Sequence, residues 1–104
     1  MLALALSLEG ANVVTAANGA VALDAALAHR PDLIVLDLMM PVMSGEDFRR
    51  AQLANATIAH IPVVVVSAHP QIATIAERIA AAGYRAKPLD IDGFWPYVRE
   101  RLIA

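Results

Sequence analysis

Three side chains with complementary chemistry stand where separate predicted strands end in this 104-residue chain. Asp37 follows the apolar run at residues 33–36, Ser67 follows the four valines at 63–66, and Lys87, the only lysine, ends a third short run. A carboxylate can attack phosphorus if the accumulating negative charge is balanced. A hydroxyl can donate to a phosphoryl oxygen, and an ammonium group can neutralise one. These residue types suit chemistry on a phosphoryl group, and pairing of the lysine with a carboxylate is the open alternative.

The elements that must position these groups alternate between strand and helix. The two continuous apolar runs are typical of parallel strands that are covered on both faces. The pattern predicts strands over residues 13–16, 33–36, 63–66 and 84–87. It predicts helices over residues 19–30, 46–55 and 72–80, and a last helix from Asp90 or Asp92 that is regular mainly after Pro96.

This alternation predicts an α/β fold, a doubly wound parallel sheet, in a single domain over residues 1–104. In such a sheet, ligands and chemistry collect beyond the carboxyl ends of the strands. Asp37, Ser67 and Lys87 are therefore expected at one edge of the sheet.

Composition excludes several other classes of function. There is no cysteine, which excludes disulfides and thiol nucleophiles, and His29, His60 and His69 lack metal-ligand spacing. A formal net charge of −2 gives no basic field for direct nucleic-acid binding. The uncharged run at residues 51–76 holds two prolines and five strongly polar side chains, which argues against a membrane span. We expect a cytoplasmic protein.

The string PDLIVLDLMMPVMSG at residues 31–45 closely resembles the phosphoacceptor region of receiver domains in bacterial two-component response regulators. The resemblance continues in AANG at 16–19, VSAH at 66–69 and KPLD at 87–90, and so covers essentially the whole chain. It implies the flavodoxin-like receiver fold and a role in a two-component phosphorelay. The partner would be a histidine kinase or a phosphotransfer protein.

Carried over to this chain, the resemblance implies a role for each matching residue. Asp37 would accept the phosphoryl group, Ser67 would be the switch hydroxyl, and Lys87 would bind the phosphoryl group. Tyr84 would be the switch aromatic, with a core aromatic as the open alternative. The enzymatic activity would be limited to self-phosphorylation and autodephosphorylation of Asp37.

The resemblance also implies a metal and a shaped loop. Mg²⁺ would be held by Asp37 and by the backbone carbonyl of Met39. Lys87–Pro88 would be a cis bond, and Pro41 and Gly45 would shape the loop after the acceptor.

The chain departs from the family pattern at its start. Receivers open with a strand that ends in two acidic metal ligands, and this chain has neither. Residues 1–10 match the latter part of the first helix, so the first strand is expected upstream of residue 1, and no output domain is expected after Ala104. The omission predicts weak Mg²⁺ binding. Because the lost strand is central in the order 2-1-3-4-5, it also predicts an open apolar groove that self-association fills.

Two other functions remain as alternatives. A pseudo-receiver would keep the fold as a protein-protein interaction module without phosphorylation. A phosphohydrolase of the haloacid dehalogenase type also uses a strand-end aspartate, but it needs a second aspartate where this chain has Met39.

Overall fold

The computed structural model describes residues 3–8, 10–16, 19–37, 45–88 and 90–102. These ranges form five strands and four helices. The strands are β1 (Ala3–Leu8), β2 (Ala11–Ala16), β3 (Leu33–Asp37), β4 (Val63–Ser67) and β5 (Gly83–Ala86). The helices are α1 (Gly19–His29), α2 (Gly45–Leu53), α3 (Ile72–Arg78) and α4 (Ile91–Leu102).

The five strands form one sheet in the order β1-β2-β3-β4-β5. Strands β2 to β5 are parallel neighbours, whereas β1 is antiparallel to β2. Helices follow β2, β3, β4 and β5 and lie on both faces of the sheet, so the predicted doubly wound α/β fold is confirmed.

The helix predicted at the start of the chain is wrong, because residues 3–8 form β1. Leucine recurs at every second position here, which is the period of a strand rather than of a helix. Gly10 adopts a φ of 86°, a conformation that suits glycine, and it turns the chain back so that Leu8 pairs with Ala11. In residues 3–8, pairing with β2 therefore outweighs the helix propensity of alanine and leucine.

The expected groove in the middle of the sheet is also wrong. Strand β2 pairs directly with β3, with Val13 opposite Leu33 and Ala16 opposite Leu36. Direct pairing satisfies the backbone groups that a missing neighbour would leave open. Among the described residues the sheet therefore has no free strand edge at its centre, and its free edges are those of the terminal strands β1 and β5.

Two hydrophobic clusters cover the two faces of the sheet. One cluster packs α1, α2 and α3 against alternate residues of the strands, including Ile34, Leu36 and Val65. The other packs α4, through Phe94, Tyr97 and Val98, against the intervening residues. Among the residues that the structure describes, no helix combines the length and the apolar character that a membrane span requires.

Helix α4 begins earlier than its proline suggested. It starts at Ile91, where the backbone N–H of Asp92 donates to Asp90 Oδ1 at 3.2 Å, and Pro96 lies inside the helix. Regular helix mainly after Pro96 was therefore a wrong expectation. Pro96 and Asp92, whose carbonyl loses its N–H donor, are both exposed, so water can replace the missing hydrogen bond.

Candidate functional site

Asp37 is the last residue of β3, where the buried run of that strand reaches the carboxyl edge of the sheet. It lies opposite Val66 of β4. The four residues before it are buried, whereas the side chain of Asp37 is 33% exposed. The strand therefore holds a carboxylate firmly at a position that solvent and a partner can reach.

Lys87 follows β5, two strands away from Asp37 in space. Its backbone N–H donates to the carbonyl oxygen of Ser67 at 3.0 Å, which continues the β4–β5 pairing by one residue. From there the side chain crosses the tip of β4, and Nζ lies 2.8 Å from Asp37 Oδ1. The ion pair thus joins the ends of β3 and β5.

The charge on Asp37 is balanced by this ion pair. Oδ1 is itself buried and accepts no hydrogen bond of regular geometry from the described residues, so the nearby ammonium group compensates its burial. The Lys87 side chain is 26% exposed. A partly exposed pair of this kind stabilises a fold by only about 0.2–1 kcal/mol.

Ser67 ends β4 and is almost fully buried, at 3% exposure. Its Oγ accepts a hydrogen bond from the backbone N–H of His69 at 3.0 Å. His69 Nδ1 in turn accepts one from the N–H of Gln71 at 3.0 Å, just before α3. The hydroxyl is therefore built into the turn that leads from the edge of the sheet to α3.

The strand register places Ser67 and Asp37 on different faces at this edge. Asp37 is opposite Val66, and successive residues of a strand point to opposite faces, so the Cβ of Ser67 is on the other face. The structure thus brings Asp37 and Lys87 into direct contact and places Ser67 at the neighbouring strand tip.

Tyr84 lies in β5 with 39% of its surface exposed, so the alternative of a core aromatic is wrong. Its backbone N–H donates to Tyr97 Oη of α4 at 3.0 Å. Tyr84 therefore lies on the surface next to α4.

The remaining residues named by the resemblance are only partly described. Met39 and Pro41 lie outside the described residues. Gly45 is the first residue of α2, and the Lys87–Pro88 peptide bond is cis.

The resemblance implies Mg²⁺ at this site, and the described residues supply few ligands for that ion. Mg²⁺ takes near-octahedral oxygen ligands, usually one or two carboxylates together with waters and phosphate oxygens. Asp37 contributes one carboxylate, and its Oδ1 is already paired with Lys87. Within the described ranges no group of three His, Cys, Asp or Glu side chains could hold a metal ion.

Sequence reasoning missed one cluster next to Tyr84. The guanidinium carbons of Arg85 and Arg101 lie 3.4 and 3.7 Å from the centroid of the Tyr97 ring. Two groups so close to one ring must occupy its opposite faces. The i, i+4 spacing of Tyr97 and Arg101 was the only sequence signal for this cluster.

Comparison with known proteins agrees with this geometry. A family model described as "Response regulator receiver domain" matches residues 1–98. The probable transcriptional regulatory protein TcrX of Mycobacterium tuberculosis is 36% identical over 95 residues, which cover 88% of this chain and 39% of TcrX. Sporulation initiation phosphotransferase F of Bacillus subtilis is 35% identical over 97 residues, which cover 90% of this chain and 76% of the relative.

A solved structure shows the same fold. The response regulator from Desulfuromonas acetoxidans superposes with a TM-score of 0.70 at 25% identity, covering 83% of this chain and 72% of that chain. The strand-end aspartate, the lysine that reaches it and the family match over residues 1–98 agree with one another. This chain belongs to the response regulator receiver domain family of two-component signalling.

Proposed function

We propose that this chain accepts a phosphoryl group on Asp37 from a histidine kinase or a phosphotransfer protein, and that the modification changes a protein-interaction surface. The observation that carries the proposal is the contact of 2.8 Å between Lys87 Nζ and Asp37 Oδ1. It puts a cation beside a partly exposed carboxylate at the edge of the sheet where ligands bind in this class of fold. We also propose a cytoplasmic location, because two-component partners of this kind act there.

The transfer would be carried out by the side chains of this chain. A carboxylate oxygen of Asp37 attacks phosphorus, the bond from phosphorus to the donor nitrogen breaks, and its electron pair stays on the donor imidazole. Lys87 offsets the charge that gathers on the phosphoryl oxygens. The protein acts as the acceptor in this reaction and as a regulator afterwards.

The route from the site to a surface runs through two strand tips. A phosphoryl group that draws Lys87 away from its present position pulls on the hydrogen bond from Lys87 N–H to the Ser67 carbonyl. Ser67 Oγ holds the turn to α3 through His69. We infer that the surface formed by α3, β5 and α4, which includes Tyr84, is the one that responds.

Treatment with a small phosphoryl donor tests the proposal. The chain is incubated with acetyl phosphate or phosphoramidate, with and without Mg²⁺, and its intact mass is measured. We expect a gain of one phosphoryl group that Asp37→Asn abolishes and Asp24→Asn, at an exposed carboxylate on α1, leaves in place. A phosphoryl group on another residue would contradict the proposal.

A second candidate function is a pseudo-receiver that works as a protein-interaction module. The specific observation in its favour is the lone carboxylate with no described metal cluster around it. A folded chain that gains no phosphoryl group at any donor concentration would favour this function.

A further inference from the structure

The outer edge of β5 is closed by side chains of its neighbours. Tyr97 Oη accepts from the backbone N–H of Tyr84 at 3.0 Å, and Arg85 Nη1 donates to the Tyr84 carbonyl at 3.0 Å. Both outward backbone groups in the middle of this four-residue strand are therefore already satisfied. An added strand would have to displace them.

The groups that close this edge are held in place by their own packing. Arg85 and Arg101 stack on opposite faces of the Tyr97 ring. A Cβ on Gly83 would overlap Tyr97 Oη, so the ring lies directly against the backbone of β5. Charged side chains on a short edge strand are among the devices that prevent edge-to-edge pairing.

At the opposite end of the sheet, the outer edge of β1 pairs with no other strand among the described residues. Strand β1 is six residues long and is the terminal strand of the sheet order, with β2 as its neighbour. Its sequence, ALALSL, contains no charged residue, proline or glycine. A long, uncharged edge strand offers a row of backbone donors and acceptors to another strand.

We propose that the outer edge of β1 is the docking site for β1 of a second copy of this chain. The two strands pair antiparallel about a twofold axis and join two five-stranded sheets into one. A second copy fits because an antiparallel pair of identical strands is self-complementary, so each copy offers the other the same donors and acceptors. The absence of charge on β1 removes the like-charge repulsion that such symmetry would otherwise impose.

The difference between the two edges also sets the size of the assembly. Head-to-tail pairing of β1 with β5 would leave a free edge at each end and would build a filament. Closure of the β5 edge by Tyr97 and Arg85 disfavours that arrangement. Pairing of β1 with β1 buries both open edges, so association stops at two copies. The docking site is independent of the phosphorylation of Asp37.

The oligomeric state of the full chain tests this inference by sedimentation equilibrium over a range of concentrations. The variant Ala5→Lys/Ser7→Lys places like charges on the proposed interface, at the small residues of β1. The matched control, Ala73→Lys/Thr74→Lys, adds the same charge at exposed positions of α3. We expect a dimer for the original chain and the control, and a dissociation constant raised at least about tenfold for the β1 variant.

Hydrogen exchange of the original chain provides a second test, which needs no variant and so does not depend on whether a variant folds. We expect amides of β1 to lose protection on dilution while amides of β3 and β4 keep theirs. A monomer at all concentrations, a dimer that the β1 lysines do not weaken, or continued growth beyond two copies would each overturn the proposal. The proposal would also be overturned if the chain stayed monomeric and its β1 amides became protected only when an unrelated extended peptide was added.

Discussion

Strands β3, β4 and β5 differ from the β1–β2 hairpin in both direction and content. The first group is parallel and carries Asp37, Ser67 and Lys87 to one edge of the sheet. The hairpin is antiparallel, and β1 contributes no acidic residue to that edge. Parallel strands bring their carboxyl ends to one edge of the sheet as a consequence of the fold. The hairpin completes the sheet without adding to the candidate site.

The difference teaches that the contact between Lys87 and Asp37 does not require the strand order of the family. Lys87 reaches Asp37 across β4 whether or not β2 has the neighbour that the family places there. Among the described residues no second carboxylate joins Asp37 in a cluster that could hold a metal ion. The following experiments compare the two halves, from the largest expected effect to the smallest.

The largest loss of stability is expected from the buried half of the sheet. Leu36 of β3 is fully buried against the helices α1, α2 and α3. Leu36→Ala should therefore lower the free energy of unfolding by about 2–5 kcal/mol in urea denaturation. Leu53→Ala, at a side chain that is 55% exposed, is the control and should change it by less than about 1 kcal/mol. Equal losses would show that β3 is not the core of the fold.

A smaller loss is expected where β5 meets α4. Gly83→Ala puts a methyl group against Tyr97 Oη, and overpacking of this kind costs about 1–3 kcal/mol. Gly93→Ala is the matched control, since its new methyl group meets only a movable Asp90 side chain and alanine favours a helix. A Gly83 variant as stable as the Gly93 variant in thermal denaturation would contradict the packing described for β5.

The hairpin should respond to a change in its turn without disturbing the other half. Gly10 has a φ of 86° and no atom within 4 Å of a new Cβ, so Gly10→Ala adds only backbone strain, about 1–2 kcal/mol. Hydrogen exchange should show faster exchange in β1 and unchanged protection in β3 and β4. Uniform loss of protection across the sheet would mean that the two halves unfold as one unit.

The smallest effect on stability is expected at the candidate site. Lys87→Met removes an ion pair between partly exposed groups, so the free energy of unfolding should fall by no more than about 1 kcal/mol in urea denaturation. A loss as large as that of Leu36→Ala would assign Lys87 to the core rather than to the chemistry of Asp37.

Much of the parallel half could be predicted because its signals are local. The continuous apolar runs fix β3 and β4, and their polar ends fix the positions of Asp37 and Ser67 at one edge. The resemblance supplied the role of Lys87, whose distance to Asp37 no sequence pattern could give. The burial of β3 and β4 can be predicted because it follows from apolar residues that are consecutive in the chain.

The rest could not be predicted because it depends on distant partners. Residues 3–8 carry leucine at the period of a strand, but the free edge of β2 with which they pair lies outside the segment itself. Pro96 is accepted inside α4 because the surrounding surface is exposed. The stacking of Arg85 on Tyr97 joins two elements whose spacing in the chain carries no signal.

The most direct test of the acceptor assignment is the rate at which acetyl phosphate phosphorylates Asp37 in the original chain and in Lys87→Met, followed by intact mass and by peptide mapping. We expect the phosphoryl group on the peptide that contains Asp37, and a rate lowered at least about tenfold in the variant, because the cation beside the carboxylate is lost. Equal rates, or a phosphoryl group elsewhere, would contradict the account.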